Sequence, residues 1–365
     1  MMRLMKVVLA TGIYPPDIGG PATYVRHLAE ELVEVEVVVV TYGRQKAEVE
    51  SGKWKVVKVL DTGGPIARWW RYAGALRKHA SDADIVYAFS SVSCGVPLLL
   101  ARLQKPKKVL RLGGDFFWER YTDRGGQKTL REWYENWLSV DWLIRVLYAG
   151  LLQVFDHIVF STAFQRDLYR AHYRLPKHLV IENAVPPPRA RAVMRTKRSP
   201  FRLLVMSRLV GFKNLESLVR AMKILPDDFQ LTIVGEGPRK RRLQRIVDQL
   251  ALHGRVAFTS PVHGKEKRSL MDMHELLVFP SLTEISSNAA LEACSDGLPV
   301  LLTEEHGFSS SLSEGMLVRP LRFPEEISVA VQEVAASYPL SMRAPEARPW
   351  STVAQEHLNL FRSIV

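Results

Sequence analysis

Four short clusters combine residue types at spacings that suit the binding of anions and polyols. The first is Tyr14-Pro15-Pro16-Asp17-Ile18-Gly19-Gly20-Pro21-Ala22-Thr23, between an apolar run and a helical pattern. The adjacent Gly19 and Gly20 let backbone N–H groups approach a ligand closely, and a helix start adds partial positive charge. An ordinary strand–helix turn reads the same way. The second is Ser207-Arg208-Leu209-Val210-Gly211-Phe212-Lys213-Asn214. Arg208 offers a planar fork matched to phosphate and Lys213 a compact charge, with two solvated loop cations as the plainer reading. The third, Val234-Gly235-Glu236-Gly237-Pro238, opens the basic run Arg239, Lys240, Arg241, Arg242. A lone Gly-x-Gly is a weak signal, and basic residues fill the later positions of the dinucleotide fingerprint. The run reads as an exposed helix face, and the loop as a base-side wall only by virtue of its neighbours.

The fourth cluster is the most specific: Glu284-Ile285-Ser286-Ser287-Asn288-Ala289-Ala290-Leu291-Glu292, then Gly297-Leu298-Pro299-Val300. Carboxylates accept hydrogen bonds from vicinal hydroxyls, as on a ribose or hexose. At 3.6 residues per turn Glu284 and Glu292 lie roughly 80° apart in azimuth, so both can border one cleft. Ser286, Ser287 and Asn288 supply helix-start N–H groups for an anion. A first-turn helix charge plus a solvated Glu is the alternative.

These clusters need a scaffold, and the apolar pattern supplies one. Short Val/Ile/Leu runs recur at Lys6–Ala10, Val35–Val40, Val56–Val59, Ile85–Phe89, Lys108–Leu112 and Ile158–Phe160. A second series follows at Arg202–Met206, Leu231–Val234, Val256–Phe258, Leu276–Phe279 and Val300–Thr303. Near-continuous apolar runs alternating with helical segments, such as Ala22–Val33, Leu215–Leu225, Arg239–His253 and Ser287–Ser295, predict parallel strands buried on both faces. Each cluster then sits at the carboxyl end of a strand, where open α/β sheets gather ligands.

The length of 365 residues predicts two α/β domains. The boundary falls at Pro186-Pro187-Pro188 and the basic stretch Arg189, Arg191, Arg195, Lys197, Arg198, which should stay extended and solvated. The reading is residues 1–185, a linker at 186–200, residues 201–349, and a terminal helix at 350–365 that packs back on the first domain. With 47% hydrophobic and 24% charged residues, disorder, collagen and coiled coil are excluded. Cys94 and Cys294, the only cysteines, exclude a disulfide framework and suit a reducing compartment. The first apolar run stops at Gly12, and the stretch from Val140 to Phe160 is broken by Asp141, Arg145, Gln153, Asp156 and His157, so a cytoplasmic protein with no membrane span is expected. The net charge of +12 predicts an anionic partner.

The four clusters, in this order on these strand ends, resemble the family 4 glycosyltransferases of the GT-B fold. The likeness is strongest over residues 201–320, in the blocks SRLVGFKN, LTIVGEGP, VAFTSPV, LLVFPSLTE, LEACSDGLPV and LVRP, and extends to PPDIGGPATYVRHLAEEL and FDHIVFSTAFQRDLYRAHYRLPKHLVIENAV. The resemblance implies two Rossmann-like parallel-sheet domains facing a central cleft, the first on the acceptor side and the second holding a nucleotide-sugar donor. It implies Arg208 and Lys213 on the donor diphosphate, Glu292 on the ribose, and Glu284 on the sugar hydroxyls. Gly20, beside Gly19, would face the donor from the other domain, while Val262 in Ser260-Pro261-Val262 and Glu236 would lie near the base. The implied reaction is retaining hexosyl transfer to a glycan or lipid-linked hydroxyl, with the leaving phosphate as base and no cofactor or divalent metal.

This chain departs from the family in three places. Ile285-Ser286-Ser287 follows the first Glu instead of a Gly-Phe-Gly-like loop, and Asn183-Ala184 replaces Asn-Gly. Where many relatives present a histidine, it reads Gly113-Gly114-Asp115, so Asp115 is expected to accept from a sugar hydroxyl in its place. Asp82-Ala83-Asp84 has an Asp-x-Asp metal pattern but precedes a strand, which predicts a solvated turn. Residues 65–80, with Arg68, Trp69, Trp70, Arg71, Tyr72, Arg77 and Lys78, suit an anionic membrane surface, an expectation supported by Trp133, Trp137 and Trp142. A hydrolysing sugar-nucleotide epimerase, a sugar-nucleotide sensor and a basic nucleic-acid-binding protein are the alternatives. Scattered charge and the lack of a recognised motif argue against nucleic acid.

Overall fold

The computed structural model describes residues 4–17, 19–136, 142–188, 196–340 and 342–365. Ile18, Trp137, Asp141 and the linker arginines Arg189, Arg191 and Arg195 lie outside them. The chain divides into two units. The first comprises Met1–Phe116, Asn136–Asn183 and Trp350–Val365, and the second Phe117–Glu135 and Ala184–Pro349. The division differs from a contiguous 1–185 domain in that Phe117–Glu135 and the residues from Ala184 to Pro349 count with the second unit.

The first unit is built on an eight-stranded sheet. In chain order its elements are β1 (Lys6–Ala10), α1 (Gly20–Glu31), β2 (Glu36–Gly43), β3 (Ala47–Ser51), β4 (Trp54–Leu60), α2 (Pro65–Ala80), β5 (Ile85–Ala88), α3 (Gly95–Ala101) and β6 (Lys107–Leu112). After α4 (Phe116–Asp123) and α5 (Leu130–Glu135) come α6 (Trp142–Leu152), β7 (His157–Phe160), α7 (Ala163–His172) and β8 (Lys177–Val180). The strand order is β3-β4-β2-β1-β5-β6-β7-β8, and only the β3–β4 pair is antiparallel. Val7, Val8 and Leu9 of β1 and all of β5 are completely buried, as continuous apolar runs require when helices cover both faces. Thr162 caps α7 by accepting from Gln165 N at 3.2 Å. Asp82 is exposed at the bend before β5, as a solvated turn would be, and the pair also fixes the start of β1: Asp84 accepts from Lys6 N at 2.8 Å and Asp82 pairs with Lys6 Nζ.

The second unit carries β9 (Phe201–Met206), α8 (Leu215–Ile224), β10 (Phe229–Val234), α9 (Lys240–Gln249), β11 (Val256–Thr259), α10 (Gly264–Asp272), β12 (Leu276–Phe279), α11 (Asn288–Ser295), β13 (Val300–Thr303), α12 (Ser310–Ser313), β14 (Leu317–Arg319) and α13 (Pro324–Ala336). Its six parallel strands run β11-β10-β9-β12-β13-β14. The last helix, α14 (Trp350–Ile364), returns to the first unit. There the Trp350 ring meets Tyr24 edge-on at 4.9 Å, and the buried His357 lies 2.9 Å from Tyr87 Oη. Among the described residues no helix is long and apolar enough to cross a membrane.

Candidate functional site

In the second sheet the chain departs from β9 in both directions, to β10 and β11 on one side and to β12, β13 and β14 on the other. The crevice outside the carboxyl ends of β9 and β12 is therefore the topological switch point of this unit. The loop after β9 ends in a single 3-10 turn, Gly211–Lys213, and Asn214 takes the left-handed conformation (φ 52°) that joins it to α8. Asn tolerates that conformation, and its side chain is held by the Arg322 carbonyl at 2.9 Å and by Ser217 at 2.8 Å. Lys213 thereby projects to the loop after β12. Its Nζ lies 2.5 Å from Glu284 Oε2, with side-chain exposures of only 12% and 6%. Ser281 Oγ donates to the same carboxylate oxygen at 2.8 Å, and the Phe212 ring lies 4.9 Å from the ammonium. A cation and a carboxylate thus share one shielded corner at the switch point.

Arg208 stands on the same loop, partly exposed, with Nη2 3.4 Å from Glu119 Oε2. The Gly235–Gly237 loop supports its backbone. A Cβ on Gly235 would fall 2.0 Å from the Ser207 carbonyl oxygen, and one on Gly237 2.4 Å from that of Leu209. These two glycines allow close packing of β10's exit loop against the Arg208 loop, a use unrelated to a dinucleotide fingerprint. Glu236 is tied by its carbonyl to Leu209 N at 2.9 Å, while its side chain pairs with Lys240 at 2.6 Å.

Glu284 precedes the helix that follows it, so the helical azimuth expected between it and Glu292 does not apply. Glu284 is fixed instead by backbone bonds to Glu305 and Gly307 at 2.8 and 2.9 Å. Ser287 is the N-cap of α11, its Oγ accepting from Ala290 N at 3.4 Å, and Ser286 and Asn288 flank it half-buried. Glu292 lies one turn into α11 and pairs with Lys267 of α10. Val262, in the loop joining β11 to α10, is half-buried against the core beneath α11.

A segment from the other half of the sequence completes this site. Within the second unit, Asp123 Oδ1 accepts from Gly211 N at 2.9 Å, and Trp118 packs against Phe212 with ring centroids 5.3 Å apart. Arg239, expected on an exposed face, is largely buried. It donates to the carbonyls of Thr122 and Asp123 at 3.0 and 2.7 Å and pairs with Glu216 at 3.1 Å. Leu130 N donates to Thr283 Oγ1 at 2.9 Å, beside Glu284, and Arg322 pairs with Glu132 at 2.7 Å. The burial cost of Glu132 is outweighed by Arg322 and the Thr129 N–H, so its carboxyl titrates below the usual range.

In the first unit Gly19 is the N-cap of α1, at the carboxyl side of β1, and a Cβ on Gly20 would meet nothing within 4 Å. The fold itself makes no demand for glycine at 20. Asp115 already has a partner within the fold. It is 1% exposed and accepts from Tyr169 Oη at 2.7 Å, in a buried chain that continues through Tyr148 to Ser91. Burial, reinforced by the Asp115 charge, pushes the Tyr148 hydroxyl pKa upward and keeps it a neutral donor.

Two family models match the chain, one described as Glycosyltransferase Family 4 over residues 18–189 and one as Glycosyl transferases group 1 over residues 200–337. Together they span most of its length. The chain belongs to glycosyltransferase family 4. It is 30% identical over 145 residues to the Homo sapiens phosphatidylinositol N-acetylglucosaminyltransferase chain, a stretch covering 38% of this chain and 29% of the relative. Its matches span half or less of the length of the curated relatives. Sucrose-phosphate synthase from Thermosynechococcus elongatus matches with a TM-score of 0.80 at 17% identity over 99% of each chain. Anabaena HepE in complex with UDP and glucose matches with a TM-score of 0.69 at 15% identity, over 98% of this chain and 100% of that one. The fold is GT-B.

For this family 4 chain, the residues missed in the sequence are those that hold the recognised ones in place, Glu119, Asp123, Lys267 and Ser281, while Arg239 was read as exposed. Only Ser281, three residues before Glu284, carried a local signal. Among the described residues no group of three or more His, Cys, Asp or Glu side chains is placed to hold a metal ion. Both thiols are pushed up to about 12 by burial, so Cys94 and Cys294 are packing residues and not nucleophiles.

Proposed function

We propose that the chain transfers a hexose-type sugar from a nucleoside-diphosphate sugar to a hydroxyl acceptor, with retention of configuration and without a divalent metal. The observation that carries this reading is the shielded Lys213–Glu284 pair at the switch point of the second unit. Negative charge builds on the diphosphate as the sugar departs. Lys213, shielded beside Glu284, and the more exposed Arg208 stabilise it, the role of preorganised cations and dipoles in acyl and phosphoryl transfer. When Lys213 turns to phosphate, Glu284 is released to accept from sugar hydroxyls, while Glu292 accepts from the ribose diol and Val262 lines the base. A leaving-phosphate oxygen takes the acceptor proton on the same sugar face, so the reaction needs no separate catalytic carboxylate.

A lipid-linked acceptor at a cytoplasmic membrane face is part of the proposal, supported by the phosphatidylinositol named in the human relative. A UDP-sugar is the first donor to try, because the HepE structure holds UDP and glucose. The test is thermal stabilisation by UDP-, GDP- and ADP-sugars, with and without EDTA. Ligand at about 100 times its dissociation constant adds roughly 2.7 kcal/mol. A shift with one nucleotide that survives the chelator is expected. No shift with any donor would refute the donor site, and a shift abolished by EDTA would refute the metal-free mechanism.

A further inference from the structure

Half of the exposed large apolar side chains among the described residues lie on three helices of the first unit. They are Ile66 and Trp70 on α2, Leu99 on α3, and Trp142, Leu143, Ile144, Val146 and Leu147 on α6. A soluble domain scatters such residues singly, and a concentration of this kind marks a contact surface. The three helices form one layer. Arg77 of α2 donates to the Ala101 carbonyl at the end of α3, and Gly95 at the start of α3 lies against Phe155 and Leu151 at the far end of α6. Helix α6 buries only its second half, through Tyr148, Leu151 and Leu152. Its first half is apolar and open, with Trp142 and Leu147 each 65% exposed.

Charge identifies the occupant. Not one Asp or Glu occurs in α2, α3 or α6, whereas α2 carries Arg68, Arg71, Arg77 and Lys78 and α6 carries Arg145. Lys78 is paired with Glu48 at 2.7 Å, so the positive field is strongest toward the start of α2, around the exposed Arg71. Indole rings, leucines and arginines on one face, with no carboxylate among them, suit the headgroup boundary of an anionic bilayer. Both open helix halves also point the same way. Helix α2 leaves the carboxyl end of β4, and α6 runs back to the amino end of β7, so each begins at the carboxyl edge of the sheet. That is the edge carrying the Gly19–Gly20 loop. The tryptophans divide accordingly: Trp142 is on this layer, whereas Trp133 belongs to the second unit and packs against Tyr134.

We infer that the first half of α6, with the start of α2 on the same edge of the layer, is the surface by which this protein docks on an anionic lipid bilayer. This deepens the proposed transfer to a lipid-linked acceptor, since it sets the acceptor end of the first unit against the membrane.

The experiment is flotation of the purified full chain with vesicles of phosphatidylcholine alone or mixed with phosphatidylglycerol, without donor. Binding to the mixed vesicles, weakened by salt, is expected. Leu143→Ser with Leu147→Ser, both solvent-facing, should reduce the partition about tenfold or more. Arg71→Gln should reduce it about fivefold on anionic vesicles and leave the residual binding less sensitive to salt. Equal recovery with both lipid mixtures, or undiminished flotation of the leucine variant, overturns the inference. So does a wild-type dimer that the leucine variant converts to monomer with no vesicle binding, because the occupant is then a second copy. Thermal shift with nucleotide sugars on the same proteins keeps the two readings apart. Donor binding without flotation removes the docking surface alone, and flotation without donor binding removes the transferase reading alone.

Discussion

Replacement of Lys213 by methionine separates its two roles. Lys213 and Glu284 face each other at 2.5 Å with little solvent contact, so removing the ammonium leaves a shielded carboxylate with the Ser281 hydroxyl as its remaining donor among the described residues. Breaking one side of such a pair costs about 3 kcal/mol. For a unit of this size that is a melting decrease of about 6–12 °C. If Lys213 also stabilises the departing diphosphate, turnover falls a further 100- to 1000-fold, the effect of deleting one preorganised donor, about 2.7–4 kcal/mol. The double variant Lys213→Met/Glu284→Gln discriminates between the roles. Removing both charges relieves the orphaned carboxylate, and the coupling should return about 1–3 kcal/mol of stability. Turnover should stay at or below that of Lys213→Met, because nothing replaces the cation on the phosphate. The assay pairs thermal melts with release of nucleoside diphosphate under saturating donor. A double variant that regains turnover together with stability would refute the reasoning, since Lys213 would then serve only to neutralise Glu284.

Two further outcomes are expected. Gly211→Ala places a Cβ 2.3 Å from the Thr122 carbonyl oxygen and 2.8 Å from Asp123 N, so it should destabilise the second unit by about 1–3 kcal/mol and weaken donor binding, whereas Gly20→Ala, with nothing within 4 Å, should melt as wild type and lose turnover. Wild-type melting for Gly211→Ala would contradict the packing, and full turnover for Gly20→Ala would take Gly20 out of the site. Burial lowers the pKa of His79, His157, His274 and His306 from 6.5, so below that pH the unfolded chain takes up protons that the folded chain refuses. Stability should be fully present above pH 6.5 and fall on acidification toward the folded values. Denaturation midpoints from about pH 7.5 to 5.5 read this slope, and it should be shallower in His274→Gln; a flat profile would count against the buried neutral histidines.

The sequence carried the sheets because their strands are buried on both faces. Val7–Leu9 or Leu276–Phe279 cannot be mistaken when every residue is apolar and a turn follows. Strand β3 escaped notice because Ala47–Ser51 is a short edge strand with Glu48 and Glu50 on it, the charged composition that keeps an edge from pairing with another chain. The site was legible to the extent that strand ends are legible: Arg208, Lys213, Glu284 and Glu292 all follow from knowing where β9 and β12 stop. The partner of Asp115 was not legible, because Tyr169 is 54 residues away and no periodicity links them.

The segment Phe117–Glu135 shows the limit of local reading most clearly. Gly211 in SRLVGFKN looks like a turn glycine, yet it does not adopt a left-handed φ. Glycine is needed there because the Thr122 carbonyl lies where a Cβ would be, with Asp123 accepting from its N–H and Arg239 holding both carbonyls in place. A residue in the loop after β9 is thus dictated by a helix encoded 88 residues earlier. The same helix sets Glu119 against Arg208, so on the proposed reading a diphosphate would compete with a carboxylate for that guanidinium. Exposed pairs of this kind contribute about 0–1 kcal/mol, which a doubly charged phosphate displaces easily. Under the proposed donor reading, Arg208 would exchange Glu119 for phosphate when donor enters, and Lys213 would make the equivalent exchange with Glu284.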